Sequence, residues 1–294
     1  MSTLAAVHTT VSPGRPGFAG ALRGELLLTR RRISVWVSLA VWALCIVAFA
    51  YLVSYVSIVG AEWYTPEQQR MFVDAMLPSG TSYYVLASLP LYGAPQFAIL
   101  GAILGSSDYA RGTIRTIMSR FPSRTTFIAA RLTNLAIVSA IAAIVTLLTS
   151  ILSSIGVAMA SEREMEFPPL TDLAATALAI WLVALAFITI GFAVGTATRS
   201  MIAAVAIAIG WVLGVESLLI GMLAPVIPAL ETLQGLLPVG ATSSLAADFL
   251  PAGQQTVPAI VATTTPGAAA GVLLLWTALA AAVSFTLTRR RDLA

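Results

Sequence analysis

The chain has 294 residues, of which 58% are apolar and only 10% are charged, and its mean hydropathy is +0.91. These values exclude an ordinary soluble globular domain and predict an integral membrane protein. The formal net charge of +3 comes from 16 arginines, with no lysine, against 13 acids. Because the arginines flank apolar segments, the basic balance indicates membrane topology, and we expect no nucleic-acid partner.

Residues 1–17 are rich in Ser, Thr, Gly and Pro, which predicts a disordered cytoplasmic tail. The rest of the chain, 18–294, predicts one transmembrane domain. The first apolar segment begins only at Ile33 and is longer than the core of a cleavable signal. The single cysteine, Cys45, falls within that segment, so an internal disulfide is excluded.

Segment 18–32 predicts a short helix lying in the inner membrane interface. Apolar residues recur there at helical spacing, with arginines beside them that suit lipid phosphates. The residues that define this interfacial helix are Phe18, Leu22, Arg23, Leu26 and Arg30. The alternative is a simple arginine-rich flank of the first transmembrane helix.

Long uncharged runs predict an all-α integral membrane protein with six transmembrane helices, because roughly 20 apolar residues cross a bilayer. The predicted spans lie near residues 33–59, 82–105, 132–157, 173–197, 201–223 and 268–288. The N-terminal segment, the loop 108–131, Arg199 and the C-terminus together carry 14 of the 16 arginines and only three acids. The opposite side carries two arginines and nine acids. By the positive-inside rule, both termini are cytoplasmic and the acidic loops are external.

Span 2 contains Pro90 and Pro95, each of which removes a backbone donor and predicts a break in the helix. Three pairs of glycines four residues apart predict a compact bundle, because small residues let helix backbones approach closely. The pairs are Gly101/Gly105, Gly191/Gly195 and Gly210/Gly214.

The loop 108–131 holds five arginines and one acid between two apolar runs. Segment 109–121 predicts an amphipathic helix with one apolar face, a Gly-Thr break near its start and a Pro-Ser end. The apolar face predicts a docking partner, whereas the alternative is plain interfacial anchoring. The residues assigned to docking are Asp108, Arg111, Gly112, Thr113, Ile114, Arg115, Ile117, Met118, Phe121, Pro122 and Arg124.

Three polar residues within the spans are candidates for a pathway through the membrane. Glu216 is an intramembrane carboxylate, which either lines a pathway or makes a structural hydrogen bond near the outer interface. Gln96 and Asn134 either line a cavity or form hydrogen bonds between helices. Segment 221–266, with six prolines and only two acids, predicts short re-entrant helices on the outer side in preference to a disordered loop.

Several enzyme classes are excluded by composition. His8 is the only histidine, so a histidine zinc site and a histidine-based triad are excluded, and we expect no bound metal. Without lysine the chain cannot contain a P-loop, so any ATP that drives it binds another polypeptide. The remaining acids lie in predicted exposed loops, which argues against a paired-carboxylate active site.

The loop 108–131 resembles the corresponding segment of the membrane subunit of type-2 ABC exporters. The family pattern reads Glu-x-x-x-Gly-Thr-Ile/Leu-Arg, a hydrophobic pair, Pro-x-Arg and a Lys that opens the third span. The matching residues here are Asp108, Gly112, Thr113, Ile114, Arg115, Ile117, Met118, Pro122, Arg124 and Arg131. Asp replaces Glu and Arg replaces Lys, so both departures preserve charge. A second similarity covers Thr198 to Trp211, Val215 to Leu219 and Leu237-Pro238, and the resemblance spans roughly 20–290.

The resemblance implies a permease domain over 18–294 with division of labour between subunits. Helix 109–121 would be the coupling helix on a separate ATPase subunit, which would bind ATP and Mg²⁺, while this chain would bind no cofactor directly. Segment 18–32 would be the connecting helix, and 223–266, including Pro238, the outer gate. A second permease subunit, identical or related, would complete a path for a hydrophobic or amphipathic compound out of a bacterial cell.

Two other function classes stay open from the sequence. A proton-coupled secondary transporter would need several membrane carboxylates or histidines, and only Glu216 is available. A non-transporting immunity or scaffold protein of the plasma membrane would keep the same docking motif.

Overall fold

The computed structural model describes residues 17–113, 123–250 and 260–290, and the described chain is helical without strands. Six of its helices are long and apolar enough to cross a membrane, which confirms the predicted number of transmembrane helices. Spans 1 to 6 are Ile33–Val59, Pro78–Ala110, Arg124–Ala160, Leu170–Thr198, Met201–Leu223 and Pro266–Arg289.

Span 3 is longer than the sequence predicts, because its helix begins at Arg124 and not near residue 132. Its 37 residues correspond to about 55 Å at about 1.5 Å per residue, whereas the hydrocarbon core is about 30 Å thick. The Ser123 hydroxyl caps the helix by accepting from the Thr126 backbone N–H at 3.1 Å. Counting uncharged residues marks the apolar core of a helix and misses the arginine-bearing turns that continue it.

A helix over Phe18–Arg31 precedes span 1, as predicted for the N-terminal segment. It packs on span 3 through a buried face formed by Ala21, Glu25 and Thr29, which recur every four residues. Of the predicted interfacial residues, Leu22 and Leu26 are half-buried, whereas the aromatic and basic ones are exposed. Those exposed residues are Phe18, Arg23 and Arg30.

Three spans contain wider, π-helical segments: Ile46–Val53 in span 1, Leu89–Gly93 in span 2 and Gly210–Ile220 in span 5. In span 2 this segment contains Pro90, and Pro95 lies two residues after its end. The prolines therefore alter the helix locally without ending it, because a wider turn accommodates a residue that lacks an N–H.

Spans 2 and 4 make the closest contact in the bundle, through two of the predicted glycine pairs. A Cβ built on Gly101 would lie 2.0 Å from the Ile188 carbonyl oxygen, and one on Gly191 would lie 2.0 Å from the Ala98 carbonyl oxygen. Only hydrogen side chains permit this backbone contact, as predicted for small residues four apart.

The third glycine pair, Gly210 and Gly214, does not contribute to packing within the chain. Both residues are exposed, and a Cβ built on either would have no atom within 4 Å. Spacing alone cannot show which face of a helix meets a neighbour, so the expectation holds for two pairs and is wrong for the third.

The segment between spans 5 and 6 forms short helices, as predicted, over Pro228–Gly235 and Pro238–Ala247. Each begins with a proline, which suits the first helical position because its missing N–H would have no helical partner. Residues 238–246 are all buried, and the helix packs against spans 2 and 6. A further helix, Pro66–Ala75, follows span 1.

Candidate functional site

Four charged residues from different helices meet in one buried cluster, which we call the Asp108 cluster: Glu25, Arg32, Asp108 and Arg131. Asp108 lies in the last turn of span 2, Arg131 lies two turns into span 3, and Arg32 joins the N-terminal helix to span 1. All four residues are at most 8% exposed. Buried charges are tolerated when they are paired and hydrogen-bonded, so this cluster holds its helices in fixed positions.

Asp108 is the centre of the cluster because each of its carboxylate oxygens accepts from a different arginine. Arg32 Nη2 donates to Oδ1 at 2.5 Å, and Arg131 Nη2 donates to Oδ2. Arg111 Nη2 lies 3.8 Å from Oδ1 on a side chain that is 56% exposed. The two close, buried bonds are charge-assisted and therefore stronger than neutral hydrogen bonds.

The Arg131 guanidinium connects Asp108 to four further groups. Its Nε lies 3.6 Å from Glu25 Oε2, and its Nη2 donates to the Leu104 carbonyl at 3.3 Å. Its carbon Cζ lies 5.2 Å and 5.3 Å from the ring centroids of Phe127 and Phe192, within the range of cation–π attraction. Since Phe192 belongs to span 4, the cluster links four of the long helices.

Glu25 has the fewest hydrogen bonds to its charged group among the four residues of the cluster. Its Oε1 has no hydrogen-bond partner, and its Oε2 lies only within salt-bridge distance of Arg131. Burial raises the pKa of the Glu25 carboxyl above its ordinary value, and the positive charge of Arg131 opposes that rise. The cluster therefore contains one carboxyl that takes up a proton more readily than an exposed glutamate.

The predicted coupling segment is described only at its two ends. Span 2 continues through Tyr109 and Ala110, so the prediction that a separate helix begins at Tyr109 is wrong. Gly112 has a φ of 66°, and the Thr113 N–H donates back to the Asp108 carbonyl at 3.0 Å. This left-handed glycine ends the helix. The predicted contacts Ile114, Arg115, Ile117, Met118, Phe121 and Pro122 lie outside the described residues.

At the other end of this segment, Arg124 Nη1 donates to the Arg289 carbonyl at 3.0 Å. The start of span 3 is thereby joined to the end of span 6. Both ends of the predicted coupling segment are thus anchored to the bundle, one by Asp108 and one by Arg124.

The predicted pathway residues Gln96 and Asn134 make hydrogen bonds between helices. Gln96 Nε2 donates to the carbonyl and hydroxyl oxygens of Ser38 in span 1, both at 3.0 Å. Asn134 Nδ2 donates to the Thr29 hydroxyl on the N-terminal helix at 2.8 Å. These contacts place Gln96 between spans 1 and 2, and Asn134 beside the Asp108 cluster.

Glu216 joins span 5 to the outer helix Pro238–Ala247. The Trp211 indole N–H donates to Oε1 at 2.6 Å, and the Val239 backbone N–H donates to Oε2 at 2.8 Å. Because Pro238 has no N–H, Val239 is the first residue of that helix that can donate. The carboxylate, 3% exposed, therefore caps the positive end of a helix dipole.

Sequence reasoning missed Glu25 and Arg32 as members of the Asp108 cluster. The available signal was Glu25, the single acid in an arginine-rich segment, four residues from Ala21 and Thr29 on the same helix face. Among the described residues, no group of three or more His, Cys, Asp or Glu side chains is placed to hold a metal ion.

Comparison with curated proteins gives no match to this chain. Residues 65–294 match the family described as protein of unknown function, DUF2705. That match includes spans 2 to 6, and within it Asp108, Arg131 and Glu216. Since it covers well over half of the sequence, the chain belongs to the DUF2705 family.

Proposed function

We propose that this protein is the permease subunit of an ATP-driven exporter of the type-2 ABC class. It moves a hydrophobic or amphipathic compound outward across a bacterial plasma membrane. A separate subunit binds and hydrolyses ATP with Mg²⁺, and a second permease subunit completes the transport path. This chain is not an enzyme, and its own part in the cycle is mechanical.

The observation that carries the proposal is the position of the Asp108 cluster next to the coupling segment. Thr113, the last described residue at the start of that segment, is hydrogen-bonded to the Asp108 carbonyl, while the Asp108 carboxylate binds Arg32 and Arg131. A displacement of the segment therefore acts on spans 1, 2 and 3 together. Buried, paired charges suit this role because separating them costs several kcal/mol, so the helices move as one unit.

The contacts of Glu216 support an outer gate held by a carboxylate. Glu216 connects span 5 to the buried helix that begins at Pro238, so movement of span 5 pulls on that helix. Both carboxylate oxygens are engaged with fixed donors, an arrangement that favours gate holding over proton relay. ATP-driven approach of the two coupling segments would then be transmitted through the bundle to the outer helices.

Co-expression with an ABC-type ATPase subunit, sought first among the adjacent genes, tests the proposal. We replace the apolar face of the coupling segment by the changes Ile114→Asp, Met118→Asp and Phe121→Asp. Each change places a charge where an apolar contact is proposed. Co-purification of the ATPase should therefore be lost, and so should ATP-dependent dye uptake into inverted vesicles, in which export is measured as uptake. The matched control is Thr125→Asp, which adds the same charge to an exposed residue close by.

Undiminished complex formation and transport in the three variants would exclude the coupling role. A different outcome would identify a scaffold in place of an exporter. In that case the wild-type chain binds the ATPase and the three variants do not, but the wild-type complex transports none of a panel of hydrophobic dyes. Dye uptake driven by a proton gradient without ATP or ATPase would identify a secondary transporter.

A further inference from the structure

Spans 1 and 3 form the walls of an open groove of about 410 Å³ in the half of the bundle where both helices end at acidic loops. Its volume is within the range of about 300–1,000 Å³ that is typical of small-molecule sites. The lining residues are Val47, Tyr51, Leu52, Tyr55, Leu152, Ser153, Gly156, Val157 and Ala160. Apart from two tyrosines and one serine, the walls are apolar.

The groove faces outward from the bundle, and the residue at its base is held in place by packing. Leu52 and Leu152 on its two edges are 58% and 70% exposed. The floor is Tyr51, which is 2% exposed and packs edge-to-face on Tyr84 with ring centroids 5.0 Å apart. The Tyr84 hydroxyl donates to the Ala50 carbonyl in the π-helical part of span 1, which fixes the pair. The groove is therefore a built feature of the helix packing.

The length of the groove along the two helices favours a lipid acyl chain as its occupant. Residues 47–55 and 152–160 each extend about 12 Å along their helices at about 1.5 Å per residue, close to half of a hydrocarbon core about 30 Å thick. The exposed side chain of Trp63 follows span 1 by a few residues, as expected for the aromatic belt at headgroup level. The length of the groove along the two helices is thus close to the thickness of one leaflet.

The mouth of the groove carries negative charge. Span 3 ends at Ala160, and the turn that follows exposes Glu162, Glu164 and Glu166. The only arginine in this turn, Arg163, is offset by Asp74, whose Oδ1 lies 3.8 Å from its Nη2. Nearby acids repel an anionic headgroup and attract an ammonium group within a Debye length of about 8–10 Å.

We propose that the groove between spans 1 and 3 binds one acyl chain of a phospholipid whose amine headgroup lies at the acidic turn after span 3. Phosphatidylethanolamine has the required chemistry, whereas phosphatidylglycerol of the same chain length has the wrong headgroup charge. The site is independent of the transport proposal, since it requires only that the six spans lie in a bilayer.

Native mass spectrometry of the purified full chain tests this site, with equal amounts of phosphatidylethanolamine and phosphatidylglycerol carrying identical chains. The change Gly156→Phe fills the groove, and it is sterically permitted because a Cβ built on Gly156 meets nothing within 4 Å. The matched control is Gly271→Phe, at an exposed glycine of span 6 with the same free space. Gly156→Leu serves the same purpose if the larger side chain prevents folding.

We expect the wild type and Gly271→Phe to retain one phosphatidylethanolamine, and Gly156→Phe to bind it roughly tenfold more weakly or worse, a loss of about 1.4 kcal/mol. The double change Glu162→Gln with Glu164→Gln should move the headgroup preference towards phosphatidylglycerol. Equal lipid retention by the Gly156 and Gly271 variants would overturn the proposal, as would a wild-type preference for phosphatidylglycerol. A Gly156→Phe variant that changes only the number of protomers would show that a second copy covers the groove.

Discussion

The strongest single perturbation predicted by the structure is Asp108→Asn. The change preserves the shape of the side chain and removes its charge. Asp108 is 2% exposed, and its two oxygens accept from Arg32 and Arg131, which are 8% and 4% exposed. An asparagine offers one acceptor oxygen, so one guanidinium loses its hydrogen bond and both lose the compensating charge.

The expected cost follows from what remains buried after the change. Glu25 still faces Arg131 at 3.6 Å, whereas Arg32 keeps no carboxylate among the described contacts. Removing one partner of a buried ion pair costs about 3–5 kcal/mol because the other charge stays buried without compensation. A loss of about 3 kcal/mol lowers the Tm of a protein near this size by roughly 6–12 °C.

The assay is thermal unfolding of detergent-purified protein followed by circular dichroism, with Asp74→Asn as the matched control. Asp74 also pairs with an arginine, Arg163 at 3.8 Å, but the two side chains are 46% and 41% exposed. An exposed pair contributes about 0–1 kcal/mol, so the control should shift Tm by no more than a few degrees. Equal shifts for Asp108→Asn and Asp74→Asn would refute the view that the cluster fixes the helices.

Three further changes test other parts of the structure. Gly101→Ala should destabilise the protein by about 1–3 kcal/mol or more, since its Cβ would lie 2.0 Å from a carbonyl oxygen of span 4, whereas Gly210→Ala should have little effect on Tm. Glu216→Gln should cost about 1–3 kcal/mol, because either the buried Val239 N–H or the part-buried Trp211 indole N–H loses its acceptor. Burial raises the pKa of Glu25, so the folded state holds the proton more tightly, and Tm should fall as pH rises above 4.5 through the folded pKa. Glu25→Gln should remove this decline.

Each of these expectations has an outcome that contradicts it. Equal Tm losses at Gly101 and Gly210 would show that the contact between spans 2 and 4 is not close. A Glu216→Gln variant as stable as Glu231→Gln, at an exposed position, would mean that the carboxylate does not hold the outer helix. Parallel pH profiles for wild type and Glu25→Gln would contradict the raised pKa of Glu25.

The sequence was sufficient to predict the six long apolar helices, because apolar runs in a bilayer have only the helix available, but it did not predict the helix Pro66–Ala75. It is less informative about helix ends, since the charge pattern places Arg124 and Arg131 before span 3, whereas the helix contains both. Helix boundaries depend on caps such as Ser123, which composition does not reveal.

The polar residues illustrate a different limit. Gln96, Asn134 and Glu216 were recognised as costly within a membrane, but their partners belong to other helices and are far away along the chain. Glu216 and Val239 are 23 residues apart, and Asn134 and Thr29 are 105 apart. A single sequence carries no signal for such pairs, so it does not separate a pathway role from a structural one.

The sequence by itself determined the membrane class, the number of spans, the absence of a P-loop and a basic segment after span 2. These properties depend on composition and on the order of residues along the chain. An apolar run of about 20 residues matches the thickness of the hydrocarbon core as a helix, so each run predicts one span directly. Only the tertiary structure decided that Asp108 unites the N-terminal helix with spans 1, 2 and 3, that two of three glycine pairs pack, and that a groove lies between spans 1 and 3. These features depend on which helix faces meet, and that is settled by packing and by the pairing of buried charges across the whole bundle.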